Sequence, residues 1–144
     1  MDEYKLGPRQ FLQELFKAAV DAAHPELTLP AALPQPPKGR TVVVGAGKGA
    51  AQLAQTFERH WRSPFEGLVV TRYGFGVPCE RFKVVEASHP IPDAAGHHAA
   101  EQMLSMVQGL GKDDLVIALV CGGGSALLPM PPDGFTLEDE QIFF

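Results

Sequence analysis

Short apolar runs and longer amphipathic segments alternate along most of this chain. The runs are rich in Val, Leu and Ile, as strands are, and the longer segments repeat apolar residues at helical spacing. In chain order the predicted elements are a strand at Thr41–Val44, a helix at Ala50–Trp61, strands at Leu68–Val70 and Phe82–Val85, a helix at Asp93–Leu110 and a strand at Leu115–Val120. This order favours an α/β fold with a mostly parallel, Rossmann-like sheet and helices on both faces. We therefore expect both faces of each strand to be buried.

The region before the first strand has a different pattern. Apolar residues recur every three or four positions between Phe11 and Val20, which predicts an amphipathic helix that Pro8 starts and His24-Pro25 ends. Five prolines crowd the stretch from Pro25 to Pro37, which is typical of a stiff, extended connector. We divide the chain into an N-terminal helix at 1–29, a connector at 30–40 and a Rossmann-like domain at 41–144.

Composition narrows the classes of function. The 144 residues carry a formal net charge of −5 without a dense basic run, which argues against a nucleic-acid partner. The N-terminus is acidic and polar, and no apolar run reaches about 18 residues, so we expect a soluble, cytoplasmic protein without membrane contact. Cys79 and Cys121 lack the paired spacing of a metal site, and no metal ligand set is predicted.

The loop after the first strand holds three glycines, Gly45, Gly47 and Gly49, together with Lys48. Glycines permit close approach of the backbone to a ligand, a following helix directs free N–H groups at it, and Lys48 adds positive charge, so we expect an anion seat. Walker A spacing is absent. The pattern Gly45-x-Gly47-x-x-Ala50 fits dinucleotide binding, although the alternative of a tight turn with a solvated Lys48 stays open.

The loop after the last strand, Gly122-Gly123-Gly124-Ser125, also places glycines directly after a predicted strand. Backbone amides there are predicted to form a second anion nest, with Ser125 as a hydroxyl donor because no nucleophile elbow surrounds it. A flexible loop is the alternative interpretation.

The two middle loops contribute Arg72, His89 and Asp93. Arg72 adds a cation to the same rim and suits an anionic ligand or a 2′-phosphate, but an ion pair with Glu86 or Glu66 explains it equally well. His89 lies between conformationally restricted residues, which favours rigid placement. Asp93 is also the expected N-cap of the helix that follows, a structural role that needs no chemistry.

The final segment predicts a short helix capped by Thr136 with Asp139 as its reciprocal partner. The apolar residues after it need a place to be buried. We therefore expect this chain to be a truncated product of a longer protein. We also expect it to form homo-oligomers in which the truncated edge is covered by another copy.

Four segments together resemble the N-terminal domain of the glycerate 2-kinase family, which carries a C-terminal MOFRL domain and some members of which are labelled hydroxypyruvate reductases. In chain order they are Val43–Ala50, Val70–Gly74, Glu86–Asp93 and Cys121–Leu128. The resemblance implies transfer of the ATP γ-phosphoryl to the 2-hydroxyl of D-glycerate with Mg²⁺, in a cleft between two α/β domains. It also implies that Lys48 is the active-site lysine and that Gly122–Ser125 supply backbone donors.

Three hypotheses follow. A glycerate 2-kinase fragment with little or no turnover of its own is favoured. An NADP-dependent hydroxypyruvate reductase is the second, supported by the glycine pattern and Arg72. A non-catalytic ligand-binding or interaction module is the third.

Overall fold

The computed structural model describes residues 7–143, so predictions that fall on residues 1–6 and on Phe144 lie outside the described part. Its helices and strands, in chain order, are α1 (Pro8–Ala22), α2 (Pro25–Ala32), β1 (Thr41–Ala46), α3 (Ala50–His60), β2 (Glu66–Arg72), β3 (Phe82–Ala87), α4 (Ala94–Val107), β4 (Leu115–Val120), a short 3₁₀ helix (Ser125–Leu127) and α5 (Leu137–Gln141). The strands form one sheet in the order β3-β2-β1-β4, and every neighbouring pair is parallel. The predicted α/β fold with a parallel sheet is confirmed.

Helices cover both faces of the sheet because its side chains alternate between them. On one face Phe57 of α3 packs edge-on against Phe65 and Phe82, with ring centroids 5.2 and 5.9 Å away. On the other face Leu68 and Val70 of β2 form a core cluster with residues of α4, Ala99 and Met103. The sheet is thus packed against α3 on one face and α4 on the other.

β4 departs from the expectation that both strand faces are buried. Leu119 on one face is buried, whereas Val116, Ala118 and Val120 on the other face are exposed, and Val120 keeps 72% of its accessible surface. The prediction is wrong for β4 because this strand lies at the sheet edge, beyond the reach of α4. A run of Val and Leu does not by itself distinguish an edge strand from a central one.

The N-terminal segment, up to Leu33, forms a compact unit of its own. The predicted first helix is present as α1, which starts with Pro8 in its first turn. Residues 30–32, which we assigned to the extended connector, are instead the last residues of α2, because Pro25 has the backbone angle of a first helical residue and His24 caps the Glu26 amide. The three segment boundaries themselves stay predictions.

Caps fix the ends of the other helices. Asp93 accepts the Gly96 amide and caps α4, as predicted. Thr136 and Asp139 form the predicted capping box of α5. None of the helices within residues 7–143 is long and apolar enough to cross a membrane.

Candidate functional site

Three of the four loops that leave the sheet at its carboxyl edge meet around Gly123. A β-carbon on Gly123 would lie 2.9 Å from Lys48 Cε, 3.3 Å from Lys48 Nζ and 3.1 Å from His89 Nε2. Lys48 follows β1, His89 follows β3 and Gly123 follows β4. Parallel strands end at the same sheet edge, and this topology brings together residues up to 75 positions apart in the sequence.

The amides of the first glycine loop already have partners within the protein. Gly47 donates to the Val70 carbonyl at 3.1 Å, and Lys48 donates to the Gly122 carbonyl at 3.2 Å. The Gly49 amide donates to Cys121 Sγ at 2.9 Å. These three N–H groups hold the loop against its neighbours, so the predicted anion seat at this loop depends on the charge of Lys48 rather than on these amides.

The glycines of this loop are required by backbone packing. A β-carbon on Gly45 would lie 2.4 Å from the Leu119 carbonyl oxygen, and one on Gly47 would lie 2.2 Å from the Cys121 carbonyl oxygen. Gly47 also has φ +133°, a conformation that residues with a β-carbon rarely adopt. The closely approaching group at these glycines is the backbone around the end of β4.

The Lys48 side chain lies beside the second glycine loop. Its residue is exposed, and its ammonium is directed toward Gly123 and His89. The Lys48 carbonyl accepts the hydroxyl of Thr71, a fully buried residue, at 3.2 Å. Within residues 7–143 no carboxylate forms an ion pair with Lys48, so its charge is available to a bound anion.

The second glycine loop is the one with free amides. In the part of the chain that the structure describes, the N–H groups of Gly122, Gly123, Gly124 and Ser125 have no hydrogen-bond acceptor. Gly122 and Gly123 are exposed, and Gly123 has φ +79°. The loop closes through the Leu127 amide, which donates to the Gly124 carbonyl at 3.1 Å. Uncommitted amides next to a lysine give a suitable environment for an anion.

A cleft of about 570 Å³ extends from this loop along the uncovered face of β4. Its lining combines the loop with apolar side chains from β1, β4 and α4, among them Val44, Val120 and Met103. A ligand with an anionic end and a less polar body would match this lining.

Arg72 is placed differently from Lys48. Its guanidinium carbon lies 3.7 Å from the centre of the Phe75 ring, and its Nε is buried without a partner. Neither alternative ion pair forms, because Glu66 binds Arg40 at 3.0 Å and Glu86 accepts the Gly76 amide at 2.8 Å. Arg72 is thus held by an aromatic ring at the end of β2.

Asp93 is held by hydrogen bonds of its own. Its carboxylate accepts the Gly96 amide at 3.0 Å and the Tyr73 hydroxyl at 2.8 Å. Burial acts to raise the pKa of Asp93, but the hydrogen bonds from Gly96 and Tyr73 outweigh it, and the pKa lies below its ordinary value of 3.8. The same hydrogen bond raises the pKa of Tyr73. This geometry favours the capping role of Asp93.

Sequence reasoning missed the residues that hold Lys48 in place. Thr71 and Cys121 lie in segments that carry the family resemblance, but their residue types alone did not assign them to the site. Their positions directly at or after a strand end were the available signal, since such residues face the neighbouring loops. His89 was named, and its peptide bond to Pro90 is cis.

Metal-binding groups are sparse around this site. No cluster of three or more His, Cys, Asp or Glu side chains within residues 7–143 has the arrangement of a metal centre. The site therefore has the donors for an anion, and its described residues do not form a complete metal cage from protein ligands.

Comparison with known proteins shows which families and proteins this chain is similar to. A family model described as a domain of unknown function, DUF4147, matches residues 11–144. A protein of Agrobacterium vitis named "Putative hydroxypyruvate reductase" is 48% identical over 137 residues, which are 94% of this chain and 31% of that protein. A glycerate 2-kinase of Pyrococcus horikoshii is 40% identical over 105 residues, 73% of this chain and 24% of the kinase.

A solved structure shares the fold. The crystal structure of a glycerate kinase from Thermotoga maritima aligns with a TM-score of 0.79 and 32% identity, over 90% of this chain and 32% of the kinase. The chain thus spans about a third or less of the length of each of these proteins.

Proposed function

This chain belongs to the glycerate 2-kinase family, described as DUF4147, and from that premise we propose that it provides an anion-binding part of an ATP-dependent glycerate kinase. The reaction proposed is transfer of the γ-phosphoryl of ATP to the 2-hydroxyl of D-glycerate. Similarity to proteins named glycerate kinase supports the reaction class, and the site geometry supports the part that this chain takes in it.

The single observation that carries the proposal is the position of the Lys48 ammonium beside the free amides of Gly122–Ser125. Phosphoryl transfer is catalysed mainly by positioning and by stabilising negative charge on the transferring group. A lysine and several fixed N–H dipoles supply that stabilisation with little reorganisation during the reaction. We assign charge neutralisation to Lys48 and oxygen binding to the amides of the loop.

His89 and Ser125 are the other polar groups proposed to contact the ligand. The Nε2 atom of His89 lies on the same side of Gly123 as Lys48, within reach of an oxygen bound by the ammonium. Ser125 is exposed at the end of the glycine loop and offers a hydroxyl. Gly45, Gly47 and Gly49 contribute by shaping the Lys48 turn, while Arg72 and Asp93 are proposed to stabilise the rim.

The two cofactors of the proposed reaction fit this site unequally. A polyphosphate such as that of ATP matches the lysine and the free amides. Mg²⁺ would be held mainly through the phosphate oxygens of ATP, because within the described residues no cluster of three or more His, Cys, Asp or Glu side chains has the arrangement of a metal centre. We therefore assign no step to the metal.

Turnover by this chain alone is proposed to be very low. The chain spans 24–31% of the length of the two relatives above, and the family resemblance implies a cleft between two domains. We also expect copies of the chain to associate, and we place the protein in the cytoplasm. Substantial ADP release with D-glycerate from the purified 144-residue chain would contradict this part of the proposal.

Hydroxypyruvate reduction with NADP is the second candidate, favoured by the name of the Agrobacterium relative. The Gly45-x-Gly47-x-x-Ala50 turn argues against it, because the amides of Gly47, Lys48 and Gly49 are bound within the protein. Arg72, the proposed partner of a 2′-phosphate, stacks on Phe75. A non-catalytic binding module is the third candidate.

Thermal stability in the presence of ligands separates the three candidates, because a ligand that binds the folded state raises the melting temperature. We expect D-glycerate or MgATP to stabilise the chain and NADPH to have no effect. Lys48→Met should abolish the shift. The control Lys112→Met removes an exposed lysine before β4, at the opposite sheet edge, and should leave the shift intact. Stabilisation by NADPH alone would favour the reductase, and no shift with any ligand would favour the binding module.

A further inference from the structure

The sulfur of Cys121 lies between the two glycine-rich loops. It accepts the Gly49 amide at 2.9 Å, and a β-carbon on Gly47 would lie 2.5 Å from it. The backbone of Cys121 is fixed as well, since its amide donates to the Ala46 carbonyl at 3.1 Å. One half-buried side chain at the end of β4 therefore contacts the turn that carries Lys48 on both sides of the lysine.

Three hydrogen bonds hold Lys48 and Gly49, one from β2 and two from the loop after β4. The Lys48 amide donates to Gly122, and the Lys48 carbonyl accepts from Thr71. These two fix the peptide groups of the lysine itself. The third, from the Gly49 amide to the Cys121 sulfur, fixes the next residue, which has no side chain and would otherwise sample many backbone conformations.

Loss of the third bond would change the position of the Lys48 ammonium through the backbone of the turn. The Lys48 side chain reaches Gly123 only while the turn presents it toward the second glycine loop. A rotation at Gly49 changes the direction of the preceding Cα–Cβ bond, and a long side chain amplifies that change at its tip. The sulfur accepts from the Gly49 amide, and Cys121 also lines the cleft beside the second loop, so the position of Lys48 without ligand is the readout that isolates the effect of the sulfur on the turn.

We propose that Cys121 is a positioning residue for Lys48: its sulfur holds the Gly49 amide and thereby keeps the Lys48 ammonium beside Gly123 and His89. The consequence for anion binding rests on the proposed function. The consequence for the position of the side chain does not, which allows the two to be tested separately.

Two variants of Cys121 separate the acceptor from the bulk of the side chain. Cys121→Ala removes the acceptor, whereas Cys121→Ser keeps one for the Gly49 amide. Cys79→Ala is the matched control, because the Cys79 thiol is equally half-buried but lies 3.9 Å from the Ala51 carbonyl and contacts neither glycine loop.

The first readout uses NMR without ligand. In the wild-type chain we expect slow hydrogen exchange at the Gly49 amide and a nuclear Overhauser effect between Lys48 Hε and Gly123 Hα. In Cys121→Ala the Gly49 exchange should become at least ten-fold faster relative to the Tyr73 amide, and the Overhauser effect should weaken. Cys121→Ser and Cys79→Ala should match the wild type. If Cys121→Ala fails to fold, the wild-type spectra decide, since rapid Gly49 exchange or no Lys48–Gly123 contact there overturns the proposal.

The second readout is the dissociation constant for inorganic phosphate, measured on the same variants. We expect about ten-fold weaker binding by Cys121→Ala and full rescue by Cys121→Ser. Equal affinity of Cys121→Ala and wild type would overturn the positioning role even if phosphate binds. If phosphate binds none of the proteins but the ligand-free spectra change as expected, the proposed function fails and the positioning role of Cys121 stands.

Discussion

The two glycine-rich loops at the carboxyl edge of the sheet use the same residue for different purposes. In the first loop Gly45 and Gly47 leave space for the backbone around the end of β4, and the amides of Gly47 to Gly49 are bound within the protein. In the second loop, Gly122 has no atom near the position of a β-carbon, and the amides of Gly122–Ser125 are free. Glycine at a strand end thus indicates close approach, but the approaching group is protein backbone in one loop and, in our proposal, a ligand in the other.

Adding one methyl group to each loop tests whether the two loops differ in this way. Gly47→Ala places a β-carbon 2.2 Å from the Cys121 carbonyl oxygen at φ +133°, and we expect it to lower the free energy of unfolding by roughly 3 kcal/mol or more, or to prevent folding. Gly122→Ala meets nothing within 4 Å and should change stability by less than about 0.5 kcal/mol. Urea unfolding of both variants measures the difference, and equal losses would contradict the distinction.

A methyl group on Gly123 tests the convergence of the loops. It would lie 2.9 Å from Lys48 Cε and 3.1 Å from His89 Nε2, and φ +79° adds a backbone cost of about 1–2 kcal/mol. We expect Gly123→Ala to fold and to bind phosphate at least ten-fold more weakly, because the lysine must move aside. Gly109→Ala, at φ +71° with open space around it, has a similar backbone cost outside the site and serves as the control. Unchanged phosphate affinity in Gly123→Ala would show that Lys48 does not face this loop.

A substitution at Asp93 tests whether the loop after β3 serves the packing of the protein, as the first glycine loop does, or contacts a ligand, as we propose for the second. Because its folded-state pKa lies below the ordinary value of 3.8, the ionised carboxylate stabilises the fold fully above that value, and the stabilisation disappears as pH falls through the folded-state pKa. Asp93→Asn keeps a capping oxygen but loses the charged acceptor of the Tyr73 and Gly96 hydrogen bonds, and should therefore cost about 1 kcal/mol at pH 7 and progressively less toward pH 2. Urea unfolding of both proteins across this pH range measures it, with exposed Asp133→Asn as control. A loss of phosphate binding without any loss of stability would place Asp93 at the ligand instead.

Most of the fold could be predicted from the sequence, because helices and strands are encoded by periodic patterns that are local in the chain. Strand β4 was predicted with its observed ends, and the caps at Asp93 and Thr136 followed from the residue types that satisfy free helix amides. The exposure of Val120 could not be predicted, since the position of a strand within the sheet depends on pairing between distant segments.

The candidate site was predictable as a set of loops but not as a set of contacts. Lys48, His89 and Gly122–Ser125 follow from residue type and from the rule that parallel strands end together. Which amides remain free depends on distant partners, such as the Cys121 sulfur, 72 residues away, that accepts from Gly49. Pairings across that separation leave no periodic signal in a single sequence.

The most direct test of the central claim is a titration of the ¹⁵N-labelled chain with inorganic phosphate, followed by amide chemical shifts. We predict saturable shifts that are largest at Gly122, Gly123, Gly124 and Ser125, smaller at Gly47 and Gly49, and absent throughout in Lys48→Met. Shifts that are largest at Gly47 and Gly49, or that are unchanged by the loss of Lys48, would contradict the account.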